Sequence, residues 1–206
     1  MLRSPDSIDD GVDAAIREVL TQGGHAGALA GIIAASILSK LCLDALDEHK
    51  AGRAEDELLA IGHKAASLQR DLLMLRRHEA SANQRMAALE TGAGPAAPVD
   101  PGRLRALLFA VEVPMRVAQT CHVLLTLSER ALDLIGMKSI PEVATACELA
   151  CAGVMAGVVK ARTRLAGIPE GSATGAAAAR ARADKVLTLA ELSRTIILDR
   201  ALQHLP

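Results

Sequence analysis

Glu79 is the residue of this sequence that no local rule explains. Leu58, Ile61, Ala65, Leu68, Leu72 and Leu75 recur at steps of three and four, and Ala82, Met86 and Leu89 resume the same seam beyond it. That spacing marks one apolar face of a helix, and Glu79 occupies the position in between. A carboxylate on such a stripe is costly unless it is paired or hydrogen-bonded. It either leans to the edge of the seam and reaches water, or it faces an internal cleft, a usual setting for a general acid or base. Lys40 poses the same question, because it follows Ile33 and Ile37 at helical spacing. Its stem reaches solvent, or its ammonium meets an acid inside.

Four further groups have chemistry within reach. His25 follows Gly23 and Gly24 at a helix start, where backbone donors and the dipole favour anions. It is an exposed end residue, or a proton donor and ligand contact that titrates near neutrality. Glu142 follows Ser139-Ile140-Pro141, so a capping box accounts for it, with catalysis as the other reading. Lys160, Arg162 and Arg164 make a cationic last turn that complements a helix C-terminus or clamps a carboxylate. Cys147 and Cys151 stand four apart, with Cys121 and His122 as conceivable co-ligands. The stripe Val143, Cys147, Cys151, Val154, Val158 instead reads as core, and a metal site is not expected.

The elements that hold these residues are helices separated by Gly and Pro. The pattern predicts helices at about 6–20, 25–49, 54–89, 103–135, 139–166 and 173–204, with 91–102 as a loop and a kink at Pro114. Long helices with short connections make a bundle with antiparallel neighbours. Gly23, Gly27 and Gly31 recur every four residues, as do Gly153 and Gly157. Such side-chain-free stripes let backbones approach closely, within the chain or across a dimer seam. The expectation is one all-α domain of about six helices over residues 1–206, with close Gly/Ala packing.

Composition narrows the function classes. The 206 residues hold no Trp, no Tyr and one Phe, are 50% hydrophobic and carry a net charge of -1. Without aromatic platforms or a basic groove, nucleic acid is not an expected partner. Half-apolar composition excludes a disordered chain, and missing strand-type alternation argues against β folds. Four cysteines with no CxxC, and a start unlike a signal peptide, suggest a reduced cytoplasmic protein. The apolar run 26–39 meets Lys40 short of the ~20 residues of a membrane span, so no membrane is expected.

The stretch QGGHAGALAGIIAASILSK resembles the Gly-Gly-Gly-Ser opening and Ala-rich helix of the formiminotransferase-cyclodeaminase C-terminal family, which includes cyclodeaminases and methenyltetrahydrofolate cyclohydrolases. VEVPMRVAQTCHVLLTLSERAL is similar to its Val-Pro helix, and SIPEVATACELACAGVMAGVVKARTRL matches its later helix in register. The likeness spans roughly residues 20–166. Gly23 and Gly24 match motif glycines, Arg162 matches the family arginine, Glu79 stands at a family Asp and Glu142 at the Asp of a Ser-Asp pair. Gln22 and His25 replace a Gly and the Ser, and Lys160 and Arg164 replace two Asn residues.

The resemblance implies an all-α homodimer, here expected to meet through its Gly- and Ala-rich faces. It also implies a one-carbon tetrahydrofolate as substrate, with no metal and no cofactor. The reaction implied is hydration and opening of a methenyl bridge, or cyclisation of a formimino group with loss of ammonia. Both pass through a tetrahedral carbon that needs proton transfer and electrostatic support. Glu79 is the expected acid or base. His25, Gly23 and Gly24 would polarise the substrate, Glu142 is a second catalytic candidate, and Lys40, Lys160, Arg162 and Arg164 would bind the substrate and its tail. The alternative is a catalytically silent relative, a pterin-binding or structural subunit.

Overall fold

The computed structural model describes residues 26–48, 53–92, 101–168 and 174–203. Among these there are five α-helices and no strand: α1 Ala26–Glu48, α2 Arg53–Gly92, α3 Pro101–Leu132, α4 Ile140–Ala166 and α5 Thr174–Gln203. The helix predicted at 6–20 lies outside the described residues. The described part of helix α2 reaches three residues past its expected end, and Pro101 is already helical in α3.

The capping box predicted at Ser139 does not form. A 3-10 turn at Met137–Ser139 feeds α4 directly, Ser139 sits at φ -101° and ψ 2°, and its hydroxyl makes no capping bond. An N-cap hydroxyl requires an extended residue and N–H groups at the second or third helical position. Here the turn denies the first, and Pro141 removes one of the donors.

Consecutive helices run antiparallel. Gln69 of α2 donates to Ser36 Oγ of α1 at 2.7 Å, Gly62 faces Cys42, and Gly31 faces Leu72. Arg130 near the end of α3 reaches Glu57 near the start of α2 at 2.7 Å, whereas Arg85 late in α2 stacks on Phe109 early in α3, 5.7 Å from the ring centre. Arg194 joins Glu148 at 2.8 Å and Arg162 joins Asp184, pairing α4 with α5 in reverse order. Helix α4 packs against α1, α3 and α5.

Of the two stripes, Gly27, Gly31, Gly153 and Gly157 face other helices of the same chain, so these four give intrachain packing rather than the expected dimer seam; Gly23 lies outside the described residues. A Cβ on Gly27 would lie 3.2 Å from the Gly153 carbonyl, and one on Gly153 would lie 3.0 Å from the Gly27 carbonyl. A Cβ on Gly157 would meet the Pro114 carbonyl at 2.6 Å, and Cys121 Sγ fills the space against both Gly31 and Gly153. Bare backbone is therefore the condition for α1, α3 and α4 to converge.

Apolar character in α1 extends past Lys40 to Leu46. Ala26–Leu46, Leu104–Leu132 and Met137–Ala166 are long and apolar enough to cross a membrane by length and composition. About half of each stretch is buried within the bundle.

Candidate functional site

The helical period that turns Leu72, Leu75 and Ala82 inward turns Glu79 inward with them, and the residue is 2% exposed. Glu79 and Ser128 are the two buried polar side chains among the described residues. The Ser128 hydroxyl donates to the Leu124 carbonyl at 2.9 Å within its own helix, an exchange that a carboxylate is unable to make. Its counter-charge comes from across the bundle, with Lys160 Nζ of α4 standing 2.6 Å from Glu79 Oε1. The seam-edge reading of Glu79 is thus replaced by a buried ion pair.

Glu79 borders a small cavity of about 10 Å³ together with Gly27, Ala28, Pro114, Val117, Ala156 and Gly157. That is room for about one water. Gly27 and Ala28 belong to α1, and Ala156 and Gly157 to α4. A buried carboxylate, a lysine and the backbone of α1 therefore meet at one point because the glycines of α1 and α4 permit contact there.

Arg164 closes the other side. Its Nη1 donates to the Ala110 carbonyl and its Nη2 to Asn83 Oδ1. Pro114 explains the first bond. In α3 the Ala110 carbonyl would accept from the N–H of residue 114, and proline has none. Burial pulls the Lys160 ammonium below the usual lysine range; its hydrogen bond and charge interaction with Glu79 oppose this, and the Arg164 cation adds to it. Burial also lowers Arg164, opposed by Glu79.

The remaining expected site residues are not gathered here. Arg162 pairs with Asp184 on the surface and lines a separate groove of about 400 Å³ with Arg180. Lys40 pairs with Asp44 at 2.8 Å in solvent, and it lies about 20 Å along α1 from Gly27 at 1.5 Å per residue. Its ammonium does not meet an acid inside the bundle. Glu142 is exposed and stands about 27 Å along α4 from Lys160 by the same rise. His25, Gly23 and Gly24 lie outside the described residues. The expected three-cation clamp is distributed over three partners: Lys160 on Glu79, Arg162 on Asp184, and Arg164 on Asn83 and Ala110.

Asn83 and the Ala110 carbonyl were not anticipated. Both were accessible in principle: Asn83 is one helical turn beyond Glu79 on the same face, and Ala110 is the position whose helical donor Pro114 deletes. The cysteines belong to the core. Burial pushes the thiol of Cys42 up to about 11 and those of Cys121 and Cys147 up to about 12, Cys147 with added help from Glu148. Among the described residues, no cluster of three or more His, Cys, Asp or Glu side chains is placed to hold a metal.

The fold has a solved counterpart. The crystal structure of formiminotetrahydrofolate cyclodeaminase from Thermotoga maritima superimposes with a TM-score of 0.73 at 20% identity, covering 98% of this chain and 96% of that one. Comparison with curated proteins gives no significant match. The sequence model of the formiminotransferase-cyclodeaminase family matches residues 13–183, most of the chain. The chain belongs to the formiminotransferase-cyclodeaminase family.

Proposed function

We propose that this protein is an enzyme acting on a one-carbon tetrahydrofolate, as a methenyltetrahydrofolate cyclohydrolase or a formiminotetrahydrofolate cyclodeaminase. The observation that carries the reading is the buried Glu79–Lys160 pair, 2.6 Å apart, beside the cavity that Gly27 and Ala28 of α1 also line. Either reaction moves a proton to or from a nitrogen as a tetrahedral carbon forms and collapses. A positioned carboxylate serves that transfer as acid or base. The Lys160 ammonium offers fixed positive charge to oxygen or nitrogen lone pairs that develop nearby. Family membership and the cyclodeaminase fold counterpart support this choice of substrate class. The resident chemistry needs only side chains, and no metal or cofactor is invoked.

One observation favours a second reading, that of a pterin-binding or structural relative without turnover. The cavity at Glu79 is about 10 Å³, whereas a drug-sized ligand occupies a pocket of roughly 300 Å³ or more. A bicyclic substrate therefore requires surrounding side chains to open. The deciding experiment follows the absorbance of methenyltetrahydrofolate with purified protein. Decay above the uncatalysed rate that disappears in Glu79→Gln supports the enzyme. Tight binding with neither decay of methenyltetrahydrofolate nor its formation from formiminotetrahydrofolate selects the silent relative.

A further inference from the structure

We propose that Arg164 is a positioning residue for the Glu79–Lys160 pair and that Pro114 holds it there through the carbonyl which proline leaves without a helical donor. This rests on reading that pair as the reacting centre. The geometry has three parts. Pro114 lies inside α3, so the Ala110 carbonyl has no partner of its own in the helix. A buried acceptor needs a donor, and the donor present is Arg164 Nη1 from α4. The same guanidinium reaches Asn83, one turn beyond Glu79 on α2, through Nη2. Arg164 is itself one turn beyond Lys160. A planar fork thus spans α2 and α3 next to the two residues that form the ion pair, and it ties their helices together.

An ammonium in this place would be a poor substitute. Lysine is a point donor on a flexible stem, whereas the guanidinium presents donors in a fixed fork. Two cations beside one carboxylate also leave the group positively charged, which suits a reaction centre where negative charge develops. Arg164 is within electrostatic reach of Lys160, whose ammonium it destabilises, and of Glu79, which supports Arg164. A change that withdraws Arg164 must therefore be felt at Lys160.

The test uses the full chain with Pro114→Ala, Arg164→Gln and the double variant, and has two readouts. The first is the side-chain NMR titration of Lys160, assigned by its loss in Lys160→Gln; it needs no turnover. Removing the neighbouring cation in Arg164→Gln moves the Lys160 midpoint upward. Pro114→Ala supplies an N–H to the Ala110 carbonyl, displaces Arg164 and moves the midpoint the same way, with helix content unchanged. The second is turnover of methenyltetrahydrofolate: kcat falls about 10- to 100-fold in each variant with little change in KM. The double variant resembles Arg164→Gln, because the two residues act in series. A Pro114→Ala protein that keeps the wild-type Lys160 midpoint, or a double variant whose effects add in full, overturns the proposal. If the wild type turns over neither methenyltetrahydrofolate nor formiminotetrahydrofolate, the functional reading fails, and the NMR titration still decides whether Pro114 positions Arg164. Should Pro114→Ala fold poorly, Asn83→Ala withdraws the second anchor and is read in the same two ways.

Discussion

Glu79 Oε1 and Lys160 Nζ are 2.6 Å apart, on side chains that are 3% and 19% exposed, and they join a point about two-thirds along α2 to the last third of α4. An exposed pair adds roughly 0–1 kcal/mol, but here each charge is the other's replacement for water. Removing Lys160 deletes a counter-charge 2.6 Å from the buried carboxylate and leaves the Arg164 cation as its remaining charged neighbour on α4.

Lys160→Met should accordingly destabilise the fold by about 3–5 kcal/mol. Glu79→Gln combined with Lys160→Met should cost clearly less than Lys160→Met alone, since the buried carboxylate that lost its Lys160 partner is gone. Urea unfolding of the two single variants and the double variant measures this. Additive losses would show that the two residues do not depend on each other.

For activity, Glu79→Gln keeps the shape and loses the acid-base group. Turnover of the one-carbon folate should drop by a factor on the order of 100 to 10,000 while the chain stays folded. Steady-state kinetics together with circular dichroism separates this from a folding defect.

Gly157→Ala should be disruptive far beyond its size. The added carbon would lie 2.6 Å from the Pro114 carbonyl and 3.0 Å from the Ala118 amide nitrogen, and both are backbone atoms that move only with α3. Overpacking of this kind costs about 1–3 kcal/mol. The same displacement should weaken the neighbouring Glu79–Lys160 pair, so lowered thermal stability and lowered turnover are expected together.

The core thiols give a pH signature. A group whose folded pKa is raised contributes stability that is present below its unfolded pKa and is lost as pH rises towards the folded value. Cys121 rises from 9.0 to about 12, so its window opens above pH 9 and closes near 12. Within it, Cys121 should remove up to about 1.4 kcal/mol per pH unit. Cys121→Ala should flatten that part of the alkaline decline in a pH series of melts. In the folded protein at neutral pH, iodoacetamide should leave Cys42, Cys121 and Cys147 unmodified; rapid labelling seen by mass spectrometry would contradict their burial.

Lys40 supplies the contrast. Its pair with Asp44 lies in solvent, so Lys40→Ala should change stability by no more than about 0.5 kcal/mol. A larger loss in a urea titration would mean that the lysine is engaged elsewhere.

Much of this architecture was legible in the residue order. The three-four spacing around Leu58 to Leu75 located α2 and singled out Glu79, because a period that repeats through a long helix assigns every residue to a face. Gly and Pro marked the helix limits to within a few residues, since backbone freedom and a missing donor act locally. Ser139 shows where local rules stop: its pattern reads as a capping box, but a 3-10 turn sets its backbone and the cap is not made.

The partners of the charges belong to a different order of information. Sequence determined that Glu79 interrupts the apolar face of its helix, that Lys160, Arg162 and Arg164 crowd the end of one helix, and that the glycines permit close approach. That Glu79 is buried rather than turned to the seam edge came from the structure. Only the tertiary structure decided that Lys160 turns to Glu79, Arg162 to Asp184, and Arg164 to Asn83 and the carbonyl Pro114 exposes. Periodicity fixes the face on which a side chain stands within its own helix. Which long, flexible cation meets which acceptor depends on how three helices cross, and that is set by packing between residues far apart in the chain.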